Sequence, residues 1–331
     1  MPCGALLADP ARRGSLDAGA PRGWRNVRAK MAASSVAVWE DLGQGRYLRV
    51  CPDGLRDELI AAMQLCLGCG DLPLARVNHM RREYIRASLG AADAAPGDAA
   101  AQRKAGMQKL AVALSPNFKD VLRARVLSSG APYRSFLILY RRLLIERVLP
   151  HLAALTRENS FAVQREPSLR FALPGATALG ARKLDDAELV GMHTDADYGH
   201  RPSELNFAFA LTRFEGSASL FVESTPMRGD FTEVKMGAGD IYTFAGATCR
   251  HHNKRNLTDD ARVSFDFRIV PMSMCDPLLW RGFVARARLL LLWRRYDASL
   301  DGERKSTREH RFTLGEYFER FDVDVVVDAA S

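Results

Sequence analysis

The chain changes its hydrophobic period near residue 160. Before that point apolar positions recur at intervals of three and four. Leu55, Leu59, Ile60, Met63 and Leu67 form one such stripe, with Asp53 placed to cap the helix. A stronger stripe over residues 133–149 carries Phe136, Leu137, Tyr140, Leu143, Leu144 and Val148, with Arg141, Arg142, Glu146 and Arg147 largely off it. Pro150 should end or kink this helix, because it lacks an N–H and its ring crowds the preceding turn. A short strand is expected at residues 46–50, and a loop at 91–101, where Ala, Asp and Gly surround Pro96.

Beyond residue 160 the period is two. Ser168, Arg170 and Ala172 alternate with Leu169, Phe171 and Leu173. Glu204, Asn206, Ala208 and Ala210 alternate with Leu205, Phe207, Phe209 and Leu211. Arg262, Ser264, Asp266 and Arg268 alternate with Val263, Phe265, Phe267 and Ile269. Each strand thus has one large apolar face and one polar or small face. Turn signals at Gly175, Gly199, Gly216, Pro226 with Gly229, and Gly237 with Gly239 separate them at the spacing of a small antiparallel barrel. Two readings fit: the polar faces meet water, or they line an occupied cavity inside a jelly roll while the apolar faces pack beneath flanking elements. After Pro271 helical patterning returns, with Asp276 and Pro277 opening a helix through Leu278, Leu279, Phe283, Leu289 and Leu292. Residues 322–331 read as a short strand or a frayed end.

The expected organisation is a disordered tail over residues 1–35 and one domain over 36–331. Within it, 36–158 are helical support, 159–271 a jelly-roll core and 272–331 C-terminal helices and tail. The first thirty residues are rich in Ala and Arg, hold only Asp9 and Asp17 as acids, and have no apolar core of a signal peptide. They are weakly compatible with an organellar transit peptide, and Met31 with an alternative start; a plain tail on a cytoplasmic protein is the simpler expectation. The 331 residues carry a formal net charge of +8, which favours anionic ligands in general. No basic block interleaved with aromatics points to nucleic acid, and the apolar run at 289–293 is far too short to span a bilayer. Six scattered cysteines indicate a reducing compartment. The Cys66-Leu67-Gly68-Cys69 pair has no second pair to complete a zinc site and reads as free thiols. The apolar helix at 133–149 suits packing on the barrel or on a second subunit, so a homo-oligomer stays open.

The candidate chemistry lies in His193-Thr194-Asp195, then His251 or His252, then Arg262-Val263-Ser264. On an extended segment His193 and Asp195 project to one face and can reach one ion. Two imidazoles and a carboxylate occupy one face of an octahedral metal such as Fe(II) and leave the other face open. Arg262 and Ser264 share a strand face, where a guanidinium can grip the far carboxylate of a dicarboxylate in bidentate fashion and a hydroxyl can add a hydrogen bond. Taken singly, each residue is more ordinary: a packed histidine, or Arg262 paired with Asp260 or Asp266. Asp197 competes with Asp195, though the two-residue spacing favours Asp195, and adjacent strand residues face opposite ways, so only one of His251 and His252 can point inward. Tyr198 and His200 either reach substrate or belong to a loop held by side-chain hydrogen bonds.

At these residues the chain resembles the 2-oxoglutarate and Fe(II)-dependent oxygenases, and within them the branch similar to a streptomycin-biosynthesis protein. The resemblance starts at Ser168-Leu169-Arg170-Phe171 and becomes specific at Met192-His193-Thr194-Asp195-Ala196-Asp197-Tyr198. It continues through Glu204-Leu205-Asn206 and Phe221-Val222-Glu223-Ser224. It is strongest in His251-His252-Asn253, Asn256-Leu257-Thr258 and Arg262 to Arg268, and closes at Leu314-Gly315-Glu316-Tyr317. About residues 160–320 are covered, and the N-terminal third is not. His252 and the small Ala208 and Ala210 depart from the pattern and bear on the substrate pocket.

The resemblance implies an α+β fold built on a double-stranded β-helix, a cupin-like jelly roll. It implies Fe(II) on His193, Asp195 and His251, rather than His252, and 2-oxoglutarate held by Arg262 and Ser264. Arg170, Tyr198, His200 and Asn206 would reach substrate or support the ligands. Consumption of dioxygen, release of succinate and carbon dioxide, and hydroxylation of a small molecule would follow. Asp195 argues against halogenation, which needs that coordination position free. The alternative class is a cupin-like metal- and ligand-binding module without turnover, for which a dicarboxylate grip has no use. A zinc enzyme on the same three side chains would work without oxygen.

Overall fold

The computed structural model describes residues 33–93, 118–176, 190–275 and 317–323. It opens on helix α1 (Ala33–Gly43), so residues 33–35 are helical where the sequence reads as tail, and the rest of that tail lies outside the described residues. Strand β1 (Arg46–Leu48) and helix α2 (Asp53–Leu67) follow as expected. The cap of α2 differs. Pro52 is the capping residue, and Asp53 sits in the first turn, where its charge suits the helix dipole without capping the backbone. Gly68 ends the helix in the left-handed conformation, with its N–H turned back to the Leu65 carbonyl. Cys66 is buried and Cys69 half-buried, both as free thiols. Helix α3 (Met80–Asp93) runs into the stretch read as a loop, whose remainder is outside the described residues.

Helix α4 (Phe118–Leu127) precedes α5 (Ala131–Leu143), the long apolar helix. Pro150 does not end it. A π-helical turn over Leu144–Val148 leads into α6 (Leu149–Thr156), with the proline in the first turn of the new segment. A proline there has no N–H to lose, and the widened turn takes up its ring.

Among the described residues two antiparallel sheets follow. The larger has seven strands in the order β1-β8-β5-β10-β2-β11, with β3 also paired to β10. Its members are β2 (Ser160–Gln164), β3 (Ser168–Ala172), β5 (Leu205–Ala210), β8 (Ile241–Phe244), β10 (Arg262–Pro271) and β11 (Phe318–Asp322). The smaller has the order β4-β9-β6-β7, from β4 (Val190–His193), β6 (Leu220–Val222), β7 (Thr232–Val234) and β9 (His251–Asn253). Among the described residues the two sheets do not join into a closed barrel. The C-terminal helix expected after Pro277 lies outside them, and β11 falls slightly earlier than the strand read at the end of the chain.

The alternation in β10 sorts the molecule into layers. Val263, Phe265, Phe267 and Ile269 face the helices and are fully buried. Phe265 stacks on Phe209 at 4.7 Å and Phe267 on Phe207 at 5.3 Å, both across the β10–β5 register. Phe136 and Tyr140 of α5 meet these rings edge-on at 5.6 and 5.4 Å. Each such pair adds about 0.5–1.5 kcal/mol beyond its burial. The Tyr140 hydroxyl, the one polar atom this ring carries into the core, donates to the Gln164 carbonyl at 2.7 Å. On the other face, Ala208 and Ala210 pack with Leu220, Val222 and Val234 of the small sheet and with Met236 just beyond it, forming a second, smaller core. Between this core and the rest of β10 lies a polar cavity.

Candidate metal centre

His193 ends β4, and its backbone pairs with His251 of β9. The register brings together two histidines remote in sequence, their ring centroids 4.4 Å apart. Asp195 is not on the strand, as the two-residue spacing implied. Thr194 is extended, and Asp195 opens a short 3-10 turn (Asp195–Tyr198). Asp197 is taken up by this turn, where its carboxylate accepts from the Thr194 N–H at 2.9 Å. Asp195 instead folds back toward the histidines. Its Oδ1 lies 3.7 Å from His193 Nε2 and 3.6 Å from His251 Nε2. One donor atom from each residue lies within 4.8 Å of the others.

The protonation states suit a cation. His193 Nδ1 lies 2.5 Å from the Gly191 carbonyl and His251 Nδ1 lies 3.2 Å from that of Cys249. A carbonyl only accepts, so Nδ1 of each ring donates and both Nε2 atoms face Asp195. Burial, against the pull of Asp195, pushes the His251 imidazole down to about 4, so it is neutral at ordinary pH. Burial raises the Asp195 carboxyl, but Arg268 first and then His251, His200 and Asn206 outweigh it and hold it well below the usual carboxylate range. Two imidazoles that offer Nε2 and one ionised carboxylate match the needs of a divalent transition ion. His252 points the opposite way, stacked on Phe221 at 5.3 Å and edge-on to Phe231 at 4.8 Å.

Arg262 and Ser264 line the same cavity as the three donors, with Arg170, Asn206, Asp266 and Arg268. Arg262 pairs with neither of the carboxylates that looked available. Asp260 goes to Arg76, and Asp266 is gripped bidentately by Arg170 at 2.6 and 3.1 Å. Arg262 is 3% exposed, and its Nε has no hydrogen-bond partner among the described residues. Its guanidinium lies over the Phe214 ring, 4.7 Å from the centroid. Burial, and then the neighbouring charge of Arg170, pushes it down to about 9. Because guanidinium stays protonated in proteins, the physical meaning is a buried cation awaiting an anion. Arg268 Nε, Asn206 Oδ1 and Asn253 Oδ1 are likewise buried without partners in residues lining this cavity. Polar atoms left open together mark room for a polar occupant.

Of the remaining sequence candidates, Arg170 and Asn206 line the cavity. Tyr198 is exposed, with its ring 5.1 Å from that of His193. His200 is buried and engaged by Glu204 at 2.6 Å, which is the hydrogen-bonded loop rather than a group on the cavity wall. The residue the sequence did not single out is Arg268. Its Nη2 donates to Asp195 Oδ2 at 2.7 Å and its Nη1 to the Tyr317 hydroxyl at 3.1 Å. Its place on the Arg262–Ser264 face of β10 was a visible signal, but its partner was not.

No family model matches the chain. A streptomycin biosynthesis protein, StrG of Streptomyces griseus, is 32% identical over 133 residues, 40% of this chain and 58% of the relative, in keeping with the resemblance noted above. The chain thus spans less than two thirds of that protein. Among solved structures, the non-haem monooxygenase ThoJ with nickel superposes with a TM-score of 0.32 and 14% identity, covering 71% of this chain and 77% of that one. SnoN, an α-ketoglutarate-dependent epimerase of nogalamycin biosynthesis, gives 0.29 and 16% over 40% and 56%. HygX of Streptomyces hygroscopicus with nickel and 2-oxoglutarate gives 0.23 and 12% over 40% and 67%. Superpositions this loose carry no weight of their own. No helix among the described residues is long and apolar enough to cross a membrane.

Proposed function

We propose that this chain is an Fe(II)- and 2-oxoglutarate-dependent oxygenase of jelly-roll type that hydroxylates a small molecule. The single observation that carries this reading is Arg262, a buried guanidinium without an anion, in the cavity that also holds His193, Asp195 and His251. A metal site alone has no use for such a cation. A dicarboxylate cosubstrate bound beside the metal does.

His193 Nε2, Asp195 Oδ1 and His251 Nε2 would hold the iron. With 2-oxoglutarate and dioxygen, the iron supplies oxidative decarboxylation to succinate and carbon dioxide, coupled to substrate oxidation. The Nδ1 bonds to Gly191 and Cys249 hold both imidazoles in the tautomer that leaves Nε2 free. Arg262 and Ser264 hold the distal carboxylate of 2-oxoglutarate, with Phe214 beneath the guanidinium as an apolar floor. Leu220 and Phe244 line the cavity and exclude water from the reacting groups. The small side chain of Ala208 leaves room where a bulkier one would intrude.

Anaerobic titration tests this. Iron with 2-oxoglutarate should produce a visible charge-transfer band in the wild type, and Arg262→Ala should weaken it strongly. A band of equal strength in that variant refutes the assigned grip. Metal binding without a 2-oxoglutarate response would favour the non-catalytic module, and full zinc-supported activity without oxygen would favour hydrolytic chemistry.

A further inference from the structure

Asp195 meets more than the two histidines. Its Oδ2 accepts from Arg268 Nη2 at 2.7 Å and from Asn206 Nδ2 at 2.6 Å. The two donors sit opposite each other in the β10–β5 register. The Asp195 N–H donates to the Gly246 carbonyl at 2.7 Å, so backbone and side chain are both held. A Cβ on Gly246 would lie 2.6 Å from Asn206 Nδ2 and 3.0 Å from Asp195 Oδ2, which shows how closely the backbone closes on this group. Arg268 is fixed in turn from a distant part of the chain. Tyr317, at the entry to β11, receives its Nη1 at 3.1 Å, and Gln164 of β2 lies 3.4 Å from the same atom.

We propose that Arg268, braced by Tyr317, is a positioning residue that locks Asp195 Oδ2 and presents Oδ1 alone to the metal; this rests on the metal assignment above. The consequence concerns coordination number. With one oxygen committed to Arg268 and Asn206, Asp195 cannot turn to chelate through both oxygens. Three protein donors then occupy three positions of an octahedral ion, and three remain for a bidentate cosubstrate and a gas. A carboxylate released from Oδ2 can swing to bidentate binding and take one of those three. The brace also joins the C-terminal strand to the centre, because β11 pairs with β2 and delivers Tyr317 to Arg268.

The test uses the full chain under anaerobic conditions with Co(II) as the probe, read by calorimetry and by the cobalt ligand-field spectrum. Arg268→Gln should raise the Co(II) dissociation constant roughly 10- to 100-fold, the range for removing a support of a metal ligand. It should also change the intensity of the ligand-field bands as Asp195 changes its mode of binding. Tyr317→Phe keeps the ring and removes only the hydroxyl, so it should fold normally and weaken Co(II) roughly three- to tenfold. Arg268→Lys restores the charge without the fork, and should recover affinity in part but not the wild-type spectrum. If Arg268→Gln does not fold, Tyr317→Phe decides. Unchanged Co(II) affinity and spectrum in folded Arg268→Gln, or in Tyr317→Phe, overturn the brace while leaving the metal site standing. Failure of the wild type to bind Co(II) overturns the metal assignment itself.

Discussion

Arg262→Met should make the protein more stable while removing the proposed hold on 2-oxoglutarate. The perturbation replaces a buried cation by an apolar side chain of similar length. Arg262 is 3% exposed and forms no ion pair with a carboxylate among the described residues. The fall of its guanidinium from its ordinary value to about 9 corresponds to about 5 kcal/mol, at 1.36 kcal/mol per pH unit. That is an upper bound, because a real site relaxes and admits water. The contact with Phe214 offsets about 1–2 kcal/mol of it. Net stabilisation of the ligand-free protein by Arg262→Met should therefore be about 1–3 kcal/mol, within the range found when buried ions are replaced by apolar groups. Urea denaturation of both proteins without metal or cosubstrate measures it, with the midpoint rising and the slope unchanged. Adding metal and 2-oxoglutarate at about 100 times its dissociation constant should stabilise the wild type by about 2.7 kcal/mol and leave the variant unmoved. A ligand-free variant less stable than wild type by about 1 kcal/mol or more would refute the claim that Arg262 lacks its anion.

Other predictions address the remaining parts of the site and the loop beneath it. His251→Ala should abolish metal binding in calorimetric titration, whereas His252→Ala, on the opposite face of β9, should leave the dissociation constant within a few-fold. Gly246→Ala should destabilise the protein by about 1–3 kcal/mol through overpacking and weaken metal binding, because its methyl group would press on Asn206 and Asp195. Glu223 is fully buried and accepts from the Gly229 N–H at 2.7 Å and from the Arg250 N–H and Nε at 2.8 and 2.9 Å. Burial raises its carboxyl, but those bonds outweigh burial and hold it below the ordinary 4.5. A depressed carboxyl contributes stability above its unfolded value and loses it on protonation. The stability gap between wild type and Glu223→Gln should thus be full at neutral pH and shrink as pH falls below about 4.5. A gap independent of pH would show that the charge of Glu223 does not matter.

The parts of the site that were legible share one property: they are local in the chain. The two-residue period of β10 places Arg262 and Ser264 on one face before any fold is known, and the same period places Arg268 there too. What period cannot say is which groups come to meet that face. Arg268 could have faced water or paired with Asp266 alone, which it still approaches to 3.8 Å. Only the pairing of β10 with β5, and the return of β4 beside β9, set it against Asp195. Asp197 competed with Asp195, which the spacing favoured, and a single capped turn separated them, one carboxylate accepting from the Thr194 N–H and the other turning to the histidines. His200 shows the same limit, since Glu204 lies four residues away yet their pairing depends on how the loop closes.

The residues by themselves determined the alternating strands, the apolar faces that bind the helices, and which side chains carry the chemistry proposed for a metal and a dicarboxylate. These follow from period and side-chain chemistry, which act over a few residues. The tertiary structure decided which histidine faces inward, that Pro150 opens a new helical segment after a π-helical turn, that Arg262 is left without an anion, and that Tyr317 stands behind Arg268 and Asp195. Those outcomes depend on strand register and on the order of strands in two sheets, and register is settled by packing energy summed over the whole core.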